Sequence, residues 1–181
     1  MKTFQLGALA AAATLLAGCG GGDDDAPARG SLLEAPSTVG VLTAAQIDAG
    51  PLKPLTGPAK CDVKVVALNY HTIGPKGEET NASAAMLVPV ASATCSTTGE
   101  PLLAYAKGTD VQKPRTLANP AEAETFLLAA VYAAQGYVVV ATDYLGYAKS
   151  SFPYHPYLHA DSEASSVIDS LRAAQIGRAH V

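Results

Sequence analysis

Asp62 to Tyr70 and Ala82 to Val90 are strand-like runs rich in apolar residues, with Gly74-Pro75-Lys76-Gly77 between them. Two such runs on either side of a Gly/Pro turn predict an antiparallel hairpin. Pro101 to Ala106 is a short apolar run between Gly99 and Gly108, as suits a buried strand. A helix is predicted from Asn119, with Pro120 at its first position, Glu122 in the capping-box position and Gly136 at its end. Its apolar stripe reads Phe126, Leu127, Ala130, Val131 and Ala134. Tyr137 to Thr142 is apolar on both faces, the signature of a strand covered by helices on both sides. A second helix is predicted from Asp161 or Ser162, with Ala164, Val167, Ile168, Leu171 and Ala174 at helical spacing. Strand, helix and strand joined by short links form a right-handed crossover with parallel strands, so the predicted class is α/β. Ligands in such sheets bind beyond the carboxyl ends of the strands. Two loops fall at that edge, Lys107 to Pro114 and Asp143 to Tyr157. The second carries Tyr144, Tyr147, Phe152, Tyr154 and Tyr157, of which Tyr144, Tyr147 and Tyr157 are candidates for a substrate pocket.

The patterning fails before residue 58. One lysine precedes an unbroken run of Leu, Ala and Gly with a single Thr from Leu6 to Ala17. That run is shorter than the roughly 20 residues needed to span a bilayer and has the shape of a signal peptide, expected over residues 1–18. Leu16-Ala17-Gly18-Cys19 resembles the bacterial lipobox, which implies cleavage before Cys19 and attachment of lipid to it. Gly20 after that cysteine favours the outer membrane over the inner. Residues 19–57, rich in Gly, Pro, Ala, Ser and Asp, read as a flexible tether, with a short turn of helix somewhere in Val39 to Ile47. The domain itself is expected over residues 58–175.

Composition narrows the function. Of the 181 residues, 49% are apolar and 15% charged, which can fill a core, and the net charge of −4 with no basic run argues against nucleic acid as a partner. Cys61 and Cys95 stand at the predicted start and end of the hairpin, where the chain ends meet, and exported compartments are oxidising, so a disulfide is expected. A metal site using these cysteines and His71 lacks C-x-x-C spacing. His155 and His159, four apart with Asp161 and Glu163 nearby, are separated by Pro156 and read better as loop-packing residues. Asp143 reads as a turn-stabilising carboxylate. No P-loop, G-x-G-x-x-G or C-x-x-C is present, and no cofactor is expected.

Three segments together resemble the secreted lipase and esterase branch of the α/β-hydrolases: Tyr105-Ala106-Lys107-Gly108-Thr109, Gly136 to Gly146, and His155-Pro156-Tyr157-Leu158-His159-Ala160 leading into Ser165 to Ala174. In that family the loop after the third strand reads His-Gly-Thr and its backbone N–H groups help form the oxyanion hole, which nominates Gly108 and Thr109. Lys107 stands where the family has His. The resemblance implies an ester or lipid substrate and a Ser-His-Asp mechanism, yet no Gly-x-Ser-x-Gly elbow occurs in the chain. The family places the elbow shortly after the Asp161 helix. There Ile176-Gly177-Arg178-Ala179-His180-Val181 matches the translation of a common sequencing adapter, followed by its stop codon. Residues 176–181 are therefore expected to be non-native, and the domain to be an N-terminal part interrupted before its nucleophile. Two alternatives remain: a serine aminopeptidase on the same fold, and a non-catalytic surface lipoprotein used for binding.

Overall fold

The structure is a computed structural model and describes residues 27–108 and 110–180. The expected signal peptide and Cys19 lie outside the described residues. Five strands form one sheet in the order β1-β2-β3-β5-β4: β1 Ser37–Leu42, β2 Asp62–Ile73, β3 Glu79–Val90, β4 Leu102–Ala106 and β5 Val138–Thr142. Four helices accompany them: α1 Ala44–Asp48, α2 Lys53–Thr56, α3 Ala123–Val131 and α4 Ala160–Gly177. β2 and β3 form the predicted hairpin, antiparallel from Asp62↔Val90 to Ile73↔Glu79. β4 and β5 are parallel, from Leu102↔Val138 to Ala106↔Thr142, and β5 joins the hairpin antiparallel to β3. This is the partial α/β sheet expected, a hairpin followed by a parallel βαβα unit.

The tether reading is corrected for the described part of residues 27–57. β1 pairs antiparallel with β2, with a bulge between Thr38 and Gly40. Thr43 then caps α1 in a reciprocal capping box with Gln46, and Ile47 is buried. Further upstream Leu32 bridges to Tyr70. The edge of β2 would otherwise expose unpaired backbone groups, and this segment satisfies them.

The two sheet faces hold separate cores. On one, Val63, Val65, Leu87, Val139 and Ala141 pack against Leu128, Ala129, Ala130 and Ala133 from α3 and its 3₁₀ extension. On the other, Leu68, Met86, Val138 and Val140 meet Leu145, Phe152, Ala173 and Ala174. α3 starts later than predicted, at Ala123, because Asn119 closes a turn of its own by accepting from Ala121 N–H at 3.0 Å. Its buried stripe includes Leu128 rather than Leu127, which is exposed. Gly136 ends the extension at φ 104°, as its position predicted.

α4 departs further. Its buried side is Ser162, Ser166, Asp169, Ser170, Ala173, Ala174 and Gly177, while Ala164 and Ile168 face out. The sheet surface beneath carries Tyr70 and Thr72, whose hydroxyls need partners, and small polar residues supply them. Tyr70 donates to the Ser166 carbonyl at 2.9 Å and shares a 2.7 Å bond with Thr142. Asp169, fully buried, accepts from Arg29 at 2.9 Å, Arg172 at 2.6 Å and Thr72 at 2.8 Å. His159, not Asp161 or Ser162, is the N-cap and accepts from Ser162 N–H at 3.2 Å. The helix also runs past its predicted end: Gly177 is buried, and a Cβ there would sit 3.2 Å from Leu68 Cδ2. Cys61 and Cys95 form the expected disulfide, with Cα atoms 5.0 Å apart.

Candidate active-site loops at the carboxyl edge

β4 and β5 end side by side at Ala106 and Thr142, and both predicted site loops leave from there. They are joined to each other by Ala148 N–H donating to the Lys113 carbonyl at 2.8 Å. In the first loop Lys107 turns inward. Its ammonium lies 3.2 Å from Asp110 Oδ2, with both side chains buried, and 4.3 Å from the centre of the Tyr147 ring. Taking a lysine out of water is costly unless a carboxylate meets it, and the aromatic face adds to the attraction. Asp110 is further held by N–H groups of Val111 (2.7 Å) and Gln112 (3.0 Å) and by Arg115 at 3.0 Å. Burial works against its charged form, but the hydrogen bonds from Gln112, Lys107 and Val111 outweigh it and hold the carboxyl well below the usual carboxylate range.

Arg115 extends the network to Glu124 (2.8 Å) and Glu122 (3.3 Å) at the start of α3. Tyr105 of β4 donates to Glu124 at 2.7 Å, and that bond, with burial, pushes its phenol up to about 12. Glu122 thus serves the loop rather than the capping box. From the second loop, Tyr147 and Tyr157 both donate to the backbone carbonyl of Asp110, and their hydroxyls lie 3.0 Å apart. Burial, then the Tyr157 hydroxyl, raises the Tyr147 phenol far above its ordinary value. Tyr144 is buried against His155, whose ring also contacts Tyr147 and Tyr157 and whose Nδ1 lies 3.0 Å from the Leu145 carbonyl. His155 and His159 thus pack and cap, and no group of metal-ligating side chains occurs among the described residues.

Asp143 ties the end of β5 to its neighbours. It accepts from Ser83 at 2.6 Å, Thr116 at 2.9 Å and Leu117 N–H at 2.8 Å. Burial raises its pKa against those three donors, and its role is the structural one read from the sequence. The loop that follows is conformationally costly: Tyr144, Ala148 and Leu158 have φ of 69°, 47° and 61°. Such left-handed non-glycine residues cost on the order of 1–3 kcal/mol each and cluster at functional loops. Gly146, at φ 80°, passes so close to the Tyr154–His155 backbone that a Cβ would lie 2.3 Å from Tyr154 C.

Of the oxyanion candidates, Gly108 is exposed at the loop tip with no atom within 4 Å of where a Cβ would be. Thr109 lies outside the described residues. Of the pocket candidates, Tyr144 and Tyr147 are buried and Tyr157 is half exposed. A cleft of about 310 Å³ nearby is lined instead by Val39, Leu68, Pro114, Thr116, Ala148 and Lys149. Sequence reading missed the Asp110–Arg115 network. Its one visible signal was the run of charges Lys107, Asp110, Lys113 and Arg115 in a loop expected to approach a ligand.

A mixed sheet with both loops at the carboxyl edge, a glycine at the first loop's tip and helices on both faces defines an α/β-hydrolase architecture. Comparison with solved structures agrees. The rice cell wall degrading esterase LipA from Xanthomonas oryzae matches at 39% identity and TM-score 0.76, over 85% of this chain and 39% of that one. A Legionella pneumophila protein classed as a hydrolase matches at 28% identity and TM-score 0.70, over 83% of this chain and 41% of that one. Candida antarctica lipase A shares the fold at 15% identity and TM-score 0.51, over 85% and 33%. No protein-family model and no curated protein matches the chain. The chain thus has an α/β-hydrolase fold and is similar in sequence to an esterase and a hydrolase that share it. It spans about two fifths of the length of the esterase it matches at 39% identity.

Proposed function

We propose that the chain is the N-terminal part of an exported carboxylic ester hydrolase, anchored by lipid on Cys19 and acting on acyl esters or lipids. The observation that carries this reading is the Gly108 loop. It stands at the carboxyl edge, free of side-chain cover at its tip and fastened on both flanks by Lys107 and Asp110. A backbone N–H presented from a rigid loop stabilises the oxyanion that develops as an ester carbonyl is attacked, and losing one such donor costs about 2.7–4 kcal/mol. The likeness to an esterase at 39% identity supports the substrate class. Thr109 is the second nominated donor, and Tyr144, Tyr147 and Tyr157 the nominated pocket wall. The nucleophilic serine, its histidine and its acid are supplied by sequence beyond these 181 residues, and the 181-residue chain alone is inactive. Among the described residues no helix is long and apolar enough to cross a membrane.

The test begins with clean genomic sequence. A Gly-x-Ser-x-Gly elbow a short distance beyond the Ser165–Ala174 segment supports the enzyme, and its absence favours a binding module. The product of that reading frame is then assayed on p-nitrophenyl esters and on aminoacyl anilides. Turnover of the esters alone supports the proposal. Turnover of the anilides alone assigns a peptidase instead, and turnover of neither overturns both.

A further inference from the structure

We propose that Asn81 of β3 is a positioning residue for the oxyanion loop, acting on it through residues 147–151 of the second loop. This deepens the ester hydrolase reading above and rests on it. Asn81 and Ser83 are buried polar residues on one face of β3, in a stretch that is otherwise apolar. Ser83 holds Asp143, where the second loop begins. Asn81 holds that loop further on. Its amide donates to the Lys149 carbonyl at 2.8 Å and accepts from Ser151 N–H at 2.8 Å, while the Ser150 hydroxyl donates to the Asn81 carbonyl at 2.8 Å. The same amide nitrogen donates to Asn69 Oδ1 at 2.7 Å, so β2 sets its orientation. Both amide protons and the amide oxygen are then in use. A carbonyl and an N–H two residues apart are what a neighbouring strand would pair with, and the Asn81 side chain takes that strand's place.

Just before these residues the chain turns to the first loop. Ala148 N–H donates to the Lys113 carbonyl at 2.8 Å, and Tyr147 donates to the Asp110 carbonyl. Five consecutive residues thus bridge β3 to the loop that carries Gly108. Ala148, at the middle of the bridge, has φ 47°. A left-handed alanine persists only where its surroundings over-determine it. Here its own N–H is held by Lys113 and the next carbonyl by Asn81. The Lys107–Asp110 pair is internal to the first loop, and Arg115 ties that loop to α3. Residues 147–151 are its tie to the hairpin. Removing the Asn81 amide frees one end of this bridge, and the strained Ala148 then relaxes at the expense of the bonds to Lys113 and Asp110.

An oxyanion donor must lie about 2.7–3.1 Å from the charged oxygen, which forms only as the ester is attacked. A displaced Gly108 N–H therefore weakens the transition state more than the bound ester, and the loss falls on kcat rather than KM.

The test uses the product of the complete genomic reading frame and steady-state hydrolysis of p-nitrophenyl butyrate. Asn81→Ala is expected to lower kcat about tenfold with KM within about twofold of wild type. Cys61→Ser/Cys95→Ser, which removes the disulfide at the opposite end of the hairpin, should keep the wild-type kcat. Tyr147→Phe should lower kcat as well. Combining it with Asn81→Ala should cost no more than about twofold beyond the larger single effect, because both act on one bridge. Should Asn81→Ala fail to fold, Ser150→Ala, which removes one of the three bonds, is read in its place with an expected fall of about threefold. An unchanged kcat, a raised KM at wild-type kcat, an equal loss in the disulfide-free chain, or independent effects in the combined variant would each overturn the role of Asn81 and leave the ester hydrolase standing. A wild-type protein that does not turn over the ester overturns both.

Discussion

Tyr157 reaches back across the site to donate its phenolic proton to the Asp110 carbonyl at 2.7 Å, beside the bond that Tyr147 makes to the same oxygen. Two tyrosines on one loop thereby hold the backbone of the other, two residues from Gly108. A carbonyl with two lone pairs can accept both, and each bond is partly shielded from water. Tyr157→Phe should lower stability by about 1 kcal/mol, and Tyr147→Phe by the same or somewhat more since its hydroxyl is buried. Urea midpoints at unchanged m-value would show this; no shift in either variant would mean that the loop is held by its ion pairs alone.

Asp169 is a buried carboxylate whose three partners are Arg29 upstream of β1, Thr72 of β2 and Arg172 of its own helix. Asp169→Ala should cost about 3–5 kcal/mol, because Thr72 and two guanidinium groups lose their shared acceptor. Arg29→Ala should cost less, since Arg172 still faces the carboxylate and Arg29 is itself partly exposed. Thermal unfolding of the two variants side by side gives the order; equal losses would contradict it.

Acid should loosen the first site loop before the hairpin. The folded pKa of Asp110 is depressed, so this carboxylate stabilises the native state at pH above the ordinary carboxylate value near 4, and that contribution fades as pH falls toward the lower folded value. Asp110→Asn lacks the titration. Its stability should therefore fall less steeply than wild type from pH 5 down to pH 2, as followed by denaturant midpoints; parallel curves would contradict the assignment.

Reduction of Cys61–Cys95 frees a loop with a sequence separation of 34. A Cys61→Ser/Cys95→Ser chain should lose about 3 kcal/mol, read as a lower melting temperature with an unchanged near-ultraviolet spectrum at low temperature.

Much of this fold was legible in the chain because its strongest signals are local. The hairpin follows from the two strand-like runs on either side of Gly74 to Gly77, the disulfide from where that hairpin places its ends, and the parallel pair from the two apolar runs flanking a helix with Gly136 at its stop. What was hidden depended on partners distant in sequence. Ser37 to Leu42 has little apolar alternation because it is an edge strand with most of its residues exposed, and only the unpaired edge of β2 makes it a strand. The inward face of α4 is partly polar because Tyr70 and Thr72 lie beneath it, so of the predicted stripe Leu171 and Ala174 pack inward while Ala164 and Ile168 face out. At the site, Gly108 and the tyrosines of the second loop could be nominated from residue type. That Lys107 would be buried could not, since it requires Asp110 and Tyr147 on either side of it.

The most direct test of the central claim, that this chain supplies the oxyanion loop of a serine ester hydrolase, is active-site labelling of the product of the complete genomic reading frame. The protein is treated with a fluorophosphonate and the modified residue mapped by peptide mass spectrometry. The account predicts one modified serine, in a Gly-x-Ser-x-Gly turn C-terminal to α4, with labelling slowed when the Gly108 loop is loosened by Asp110→Asn. Modification of a serine within residues 27–180, or no modification in a protein that does not hydrolyse p-nitrophenyl esters, would contradict it.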